Sequence, residues 1–163
     1  MDEIAFLAEH GPSMGVQVLT AAACGAAIGY ERQRHAAPAG MKTCMLVCAG
    51  AAQYTHIGAV LFGYEHAGDP SRMASQIVTG IGFLGAGAIL HGEGSVTGLT
   101  TAATIWFIGG IGVIVGSGFS LSGVALTALM LTLLSLMRVV ERRLFPRVAR
   151  PGEPPCPAPA SNE

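Results

Sequence analysis

Charged side chains occupy a few narrow places in this chain, and long uncharged segments separate them. No Asp, Glu, Lys or Arg lies between Glu9 and Glu31, between Lys42 and Glu65, between Arg72 and Glu93, or between Glu93 and Arg138. Each of the first three gaps is about the 20 residues that cross a hydrocarbon core of about 30 Å at 1.5 Å per residue. The fourth, Gly94 to Met137, would make about 66 Å of helix, enough for two crossings. A break fits at "GSGFSLSG", Gly116 to Gly123, where small and turn-forming residues cluster. The pattern predicts an all-α integral membrane protein whose residues 1–145 form a bundle of five transmembrane helices.

The expected helix 1 covers Ser13–Tyr30 and carries Gly25-x-x-x-Gly29, and helix 2 covers Thr43–Phe62. Helix 3 opens at "DPSR", with Asp69 as N-cap and Pro70 in the first turn, and continues to Leu90. Helix 4 begins in "GLTTAATIW", capped by Thr100 or an adjacent residue, and carries Gly112-x-x-x-Gly116; helix 5 covers Ser120–Met137.

Composition agrees with this reading. Of 163 residues, 51% are hydrophobic and 12% charged, against about 25% charged in a typical soluble domain. The N-terminus, "MDEIAFLAEH", lacks the basic region of a cleaved signal peptide, so the first apolar span is expected to remain as helix 1. Residues 146–163, rich in proline and poor in large apolar side chains, are expected to form a disordered cytoplasmic tail. Charge orients the chain. Arg32, Arg34 and Lys42 lie between helices 1 and 2, and Arg138, Arg142, Arg143, Arg147 and Arg150 follow helix 5, leaving only Arg72 for the opposite side. The positive-inside rule then puts the N-terminus outside and the C-terminus in the cytoplasm.

The glycine-rich segment "GIGFLGAG", Gly80–Gly87, spells G-x-G-x-x-G. No strand precedes it and no acidic residue follows at the spacing a ribose needs, so the nucleotide reading fails. In lipid, helices associate by close backbone approach, which small residues permit. Gly80, Gly82, Gly85 and Gly87, with Ala86, strip helix 3 of bulk and predict that it lies at the bundle's centre. Two roles stay open for these glycines: tight packing, or unwinding near mid-membrane to expose backbone groups to an ion.

Charges at helix ends are the remaining candidates for chemistry. Glu31 and Arg32 close helix 1; Asp69 and Arg72 open helix 3, either as an i, i+3 pair or as a cap beside a snorkelling arginine. Gln76 and Thr79 extend a polar stripe from these toward the glycines, a candidate entry path. His56, alone in helix 2, reads as a hydrogen-bonded core residue, and Cys24, Cys44 and Cys48 as small packing groups without zinc spacing. No nucleophile stands beside a base, G-x-S-x-G is absent, and no basic-aromatic interleaving suits nucleic acid, so neither an enzyme nor a nucleic-acid partner is expected.

The blocks "GYERQRHAAPAGMKT" (Gly29–Thr43), "DPSRMASQIVTGIGFLGAGAIL" (Asp69–Leu90) and "GLTTAATIW" (Gly98–Trp106), in this order and spacing, resemble the MgtC/SapB family of bacterial inner-membrane proteins. The resemblance implies a five-helix domain of the cytoplasmic membrane, associated with magnesium homeostasis. Some relatives support growth at low Mg2+, and one is credited with restraining the ATP synthase. By position, Glu31 and Arg32 match the family's "ER", Asp69 and Arg72 its "DPSR", Gly80–Gly87 its glycine block, and Thr100 and Thr101 its "LTTAA". Longer members carry a soluble regulatory domain, and this chain looks like the short form. Lys42 stands where relatives often have arginine, and Thr97 where many have a basic residue, which weakens an anion-binding role for that face.

Two functions follow. One is Mg2+ transport or an activity associated with it, with Asp69, Arg72 and Gln76 lining a path and a homodimer or other homo-oligomer relieving the small size of five helices. The other is regulation of a membrane-protein partner, such as the ATP synthase or a P-type ATPase, without transport. No cofactor is expected beyond an association with Mg2+, no metal ligands are identifiable, and membrane lipid is the surrounding partner.

Overall fold

The computed structural model describes residues 3–65, 69–92 and 95–144. Among the described residues five helices form the fold: α1 (Glu3–Gln33), α2 (Met41–Glu65), α3 (Pro70–Gly87), α4 (Leu99–Gly116) and α5 (Ser120–Leu144). Among the described residues, α1, α2, α4 and α5 are long and apolar enough to cross a membrane; α3 falls short of that measure. The expected tail, 146–163, lies outside the described residues.

Large apolar side chains cover the outside of the bundle. Phe83 is 81% exposed and Leu121 83%, and Leu19, Leu46, Leu61 and Leu136 also point outward. The buried set is instead small or compact: Ala21, Cys24, Ile28, Cys44, Cys48, Ala51, Ala52, Ile108, Ile111 and Val115. A water-soluble domain could not keep so much leucine on its surface, whereas in hydrocarbon it costs nothing.

One stripe of α2 organises the core. Cys44, Cys48 and Ala52 recur every four residues and so share a face. A methyl group on Gly25 of α1 would strike the Cys44 carbonyl, and one on Gly29 would lie 2.6 Å from Met41 Cα. From the other side, Gly112 and Gly116 of α4 rest on the carbonyls of Cys48 and Ala52. Both G-x-x-x-G pairs therefore pack against α2, while α1 and α4 also touch each other, and α4, packed also against α3 and α5, is the central helix.

Helix 3 was expected at the centre, and there the structure differs. α3 lies on the flank, touching α2 and α4, and nothing approaches the positions a side chain would occupy at Gly80, Gly82 or Gly87. Gly85 alone of the four faces a neighbour, 3.6 Å from the Ala102 carbonyl oxygen. Here α3 supplies the knob: Ile81 inserts over Gly109 of α4. The reason is angular. Glycines at 109, 112 and 116 line one helix face, whereas those at 80, 82, 85 and 87 wind around the axis, so few can meet any one partner. Nor does α3 unwind: it runs unbroken through Gly87, against the second of the two roles left open for the glycines.

Past Gly87 the chain leaves the helix earlier than Leu90. The Ala88 amide folds back on the carbonyls of Leu84 and Gly85, and Leu90–Gly92 (β1) pairs antiparallel with Ser95–Thr97 (β2). Helix α4 then starts from Gly98, not from a threonine cap. Gly98 has φ 87°, and a Cβ there would collide with the Ala88 carbonyl, so the close approach of two backbones requires glycine. At the ends, α1 continues through Pro12 and α5 continues seven residues past Met137, because charged residues end a membrane span without ending a helix.

Three of the buried threonines satisfy themselves inside their own helices. Thr55 donates to the Ala51 carbonyl at 2.8 Å, Thr104 to Thr100 at 2.7 Å and Thr127 to Gly123 at 2.9 Å. Such i−4 bonds remove the cost of a hydroxyl in hydrocarbon.

This packing predicts a split among glycine substitutions. Gly112→Ala and Gly116→Ala should each lower stability by roughly 1–3 kcal/mol through overpacking, read as thermal unfolding of detergent-purified protein. Gly80→Ala and Gly82→Ala should leave it unchanged or raise it slightly, since alanine is the better helix former. Equal losses at all four positions would contradict the assignment of α4 as the central helix.

Candidate functional site

Polar side chains gather at the two ends of the bundle. At one end, where α1 finishes and α4 begins, the structure assembles Glu31, Arg32 and His35 of α1 and its following turn with Thr101 of α4 and Arg138 of α5. The Glu31 side chain is 12% exposed and forms an ion pair with Arg138, itself 25% exposed. His35 stands beside the pair: its Nδ1 donates to the Glu31 backbone carbonyl at 2.7 Å, and its Nε2 accepts from Arg138 Nη1 at 2.6 Å. Since a guanidinium only donates, this arrangement selects the Nδ1–H tautomer. Arg32 reaches across to Thr101, Nη2 to Oγ1, at 3.5 Å. Its Nε is buried and has no hydrogen-bond acceptor among the described residues.

Helix geometry explains this assembly. Glu31 and His35 are one turn apart, and Arg138 is the first charge on α5, so it arrives at the depth where Glu31 ends its own uncharged span. Sequence reasoning placed Glu31, Arg32, Thr100 and Thr101 among the candidates, and the structure brings all four to this end, Thr100 lining the cavity beside Arg32. It did not single out His35, and it used Arg138 for the orientation of the chain without pairing it with Glu31. The available signal was the need of a nearly buried Glu31 for a counter-charge.

At the other end, His56 of α2 is buried and donates from Nδ1 to Gln17 Oε1 of α1 at 2.7 Å, as a hydrogen-bonded core histidine should. The His10 ring stands edge-on to it, centroids 6.4 Å apart, and Glu9, His10, Gln17, His56 and Ser117 share a cavity of about 470 Å3. Among the described residues no group of three or more His, Cys, Asp or Glu is disposed to hold a metal ion. Cys24, Cys44 and Cys48 are free and buried as packing groups.

The four residues of the expected stripe on α3, Asp69, Arg72, Gln76 and Thr79, are all exposed and share one face. Asp69 caps the helix, accepting from the Ser71 amide at 2.9 Å and the Ser71 hydroxyl at 2.7 Å. Those bonds, the hydroxyl's first, hold its carboxyl below the usual carboxylate range. No ion pair joins Asp69 to Arg72 among the described residues. Both are exposed, and Thr79 donates to its own helix at Ser75. Gln76 borders a largely apolar cleft of about 530 Å3 between α2 and α3, opposite Leu46 and Tyr54.

An outward-facing leucine surface, a core of glycine contacts, and charges confined to the ends of four long apolar helices together define a multi-pass α-helical membrane protein. Within that class, the chain belongs to the MgtC family, whose sequence profile matches residues 18–143. It is 41% identical over 133 residues to YhiD of Escherichia coli K12, named as a candidate magnesium transporter, covering 78% of this chain and 61% of YhiD. To Protein MgtC of Salmonella typhimurium LT2 it is 42% identical over 130 residues, 79% of this chain and 54% of that one. An uncharacterized Haemophilus influenzae protein is 38% identical over 135 residues, 77% and 56% of the two chains. The chain thus spans little more than half the length of these relatives. Membership and the apolar helices make it a multi-pass protein of the bacterial inner membrane. No solved structure matches.

Removing one member of a buried ion pair strands the other, at roughly 3–5 kcal/mol. Glu31→Gln and Arg138→Gln should each destabilise the protein in thermal unfolding, by less than that range because Arg138 is partly solvated. The double variant should lose less than the sum of the two. Strict additivity would show that the pair contributes nothing.

Proposed function

We propose that this chain serves magnesium homeostasis in the bacterial inner membrane. The observation carrying the proposal is the 41% identity to the candidate magnesium transporter YhiD across the helical region that holds the Glu31–Arg32 end of the bundle. In this reading α3 crosses the membrane with the other four helices, the N-terminus lies outside, and the basic end with Arg32, Lys42 and Arg138 faces the cytoplasm.

A specific observation favours regulation of a membrane-protein partner over conduction by a single copy. Between the two polar ends, α4 fills the axis with Ile105, Ile108, Ile111 and Val115, all buried. Mg2+ sheds its water reluctantly and needs oxygen ligands where it does so. The buried threonine hydroxyls there are already donated within their own helices. Transport through this chain would instead call for a path between copies of a homo-oligomer.

Deleting the gene should impair growth at low Mg2+, and this chain supplied in trans should restore it. Normal growth of the deletion strain would sink the proposal. Proteoliposomes carrying folded protein and an Mg2+-sensitive dye separate the mechanisms: flux supports transport, whereas no flux with a co-purifying membrane protein supports regulation. For the orientation, a membrane-impermeant maleimide on intact cells should label Ser117→Cys and spare Lys42→Cys in a Cys156→Ser background. The reverse pattern would invert the topology.

A further inference from the structure

The Glu31–Arg138 pair leaves one charge over. At the basic end, Arg138 is neutralised by Glu31, but Arg32 has no carboxylate within ion-pair distance among the described residues. Its Nε is buried without an acceptor, and its one bond, to Thr101, is long at 3.5 Å. A half-buried guanidinium with an unused donor is an unsatisfied cation, and burying a charge is costly until an opposite charge joins it.

Arg32 lines a cavity of about 360 Å3 between α1, α4 and α5, shared with Thr100, His35 and Arg138. Thr100 belongs to the first turn of α4, an 18-residue helix whose N-cap, Gly98, has no side chain to bond its leading amides. Ala102 is the first residue to donate inside the helix, to the Gly98 carbonyl at 2.9 Å, so the amides of Leu99, Thr100 and Thr101 are left over by helix geometry. The positive end of the helix dipole adds to the guanidinium at this point. Leu134 and Met137 of α5 form an apolar wall of the same cavity, and Glu141 lies exposed on its lining, where water screens its charge.

We infer that this cavity binds a phosphoryl oxyanion, held by the Arg32 guanidinium and the Thr100 hydroxyl. Arg32 supplies the planar donor fork that suits phosphate, and Arg138, its charge already taken by Glu31 and its position fixed by His35, forms a polar wall beside it. The apolar wall admits a phosphate that arrives with acyl chains, as a lipid headgroup, or free from the aqueous side. Lys42 and Thr97 do not line the cavity. The inference is independent of whether the chain moves Mg2+.

The test uses the full chain purified in detergent, in two arms. In the first, inorganic phosphate is titrated calorimetrically against NaCl of matched ionic strength. In the second, native mass spectrometry compares retention of phosphatidic acid with that of diacylglycerol carrying the same acyl chains. Saturable phosphate binding assigns a free anion, and preferential retention of phosphatidic acid assigns a headgroup; either supports the site. Arg32→Gln should weaken the positive arm by roughly tenfold or more, the loss of a charged hydrogen-bond donor, while Lys42→Gln, exposed at the same end, leaves it unchanged. Should Arg32→Gln fail to elute as a single folded species, Thr100→Val, at an exposed position, takes its place and should also weaken binding. Binding in neither arm, wild-type binding by the folded variant, or an equal loss in Lys42→Gln would overturn the inference.

Discussion

In hydrocarbon two helices gain nothing by hiding leucine from their surroundings, so what holds this bundle together is how closely backbones can approach. The contact that decides the rest is the stripe of Cys44, Cys48 and Ala52 on α2, against which Gly25 and Gly29 of α1 and Gly112 and Gly116 of α4 all pack. Dispersion between atoms in such contact replaces the hydrophobic driving force of a soluble core. It leaves Leu19, Phe83 and Leu121 free to face lipid.

Once backbones are this close, little room remains for polar side chains at mid-depth. Threonines there turn back on their own helices, and His56, toward one end, is held by Gln17. Charge is thereby confined to the ends. Because α1, α4 and α5 meet at one of them, Glu31, Arg32, Thr101 and Arg138 converge although 107 positions separate the first from the last. The functional interest of the molecule accordingly lies at its basic end, where charges of both signs are half-buried beside an uncapped helix start, rather than along its axis.

This distribution bears on how a small bundle could take part in magnesium homeostasis. An axis filled by Ile108, Ile111 and Val115 suits a protein that acts on another component of the membrane. Stored charge at Arg32 and a cavity at the same end supply a place where an anionic ligand would alter the surface such a component meets. The exposed, glycine-rich outer face of α3, uncovered in a single copy, is a second surface that neighbouring helices in the membrane would reach.

The sequence alone determined much of this. Uncharged intervals between Glu9, Glu31, Lys42, Glu65, Arg72 and Arg138 set the number of helices, because desolvating a charge in lipid is costly and its absence over about 20 residues is easily read. The pairs Gly25/Gly29 and Gly112/Gly116 were legible as packing faces for the same local reason, their spacing. What only the tertiary structure decided was which surface each face meets. That Gly80, Gly82 and Gly87 look outward, that Ile81 fills Gly109, and that Leu90–Gly92 leaves the helix for a hairpin all depend on contacts between segments distant in sequence. The pairing of Glu31 with Arg138 through His35 is of the same kind: residue types announce a need for partners, but the partner is chosen by which helix ends the packing brings together.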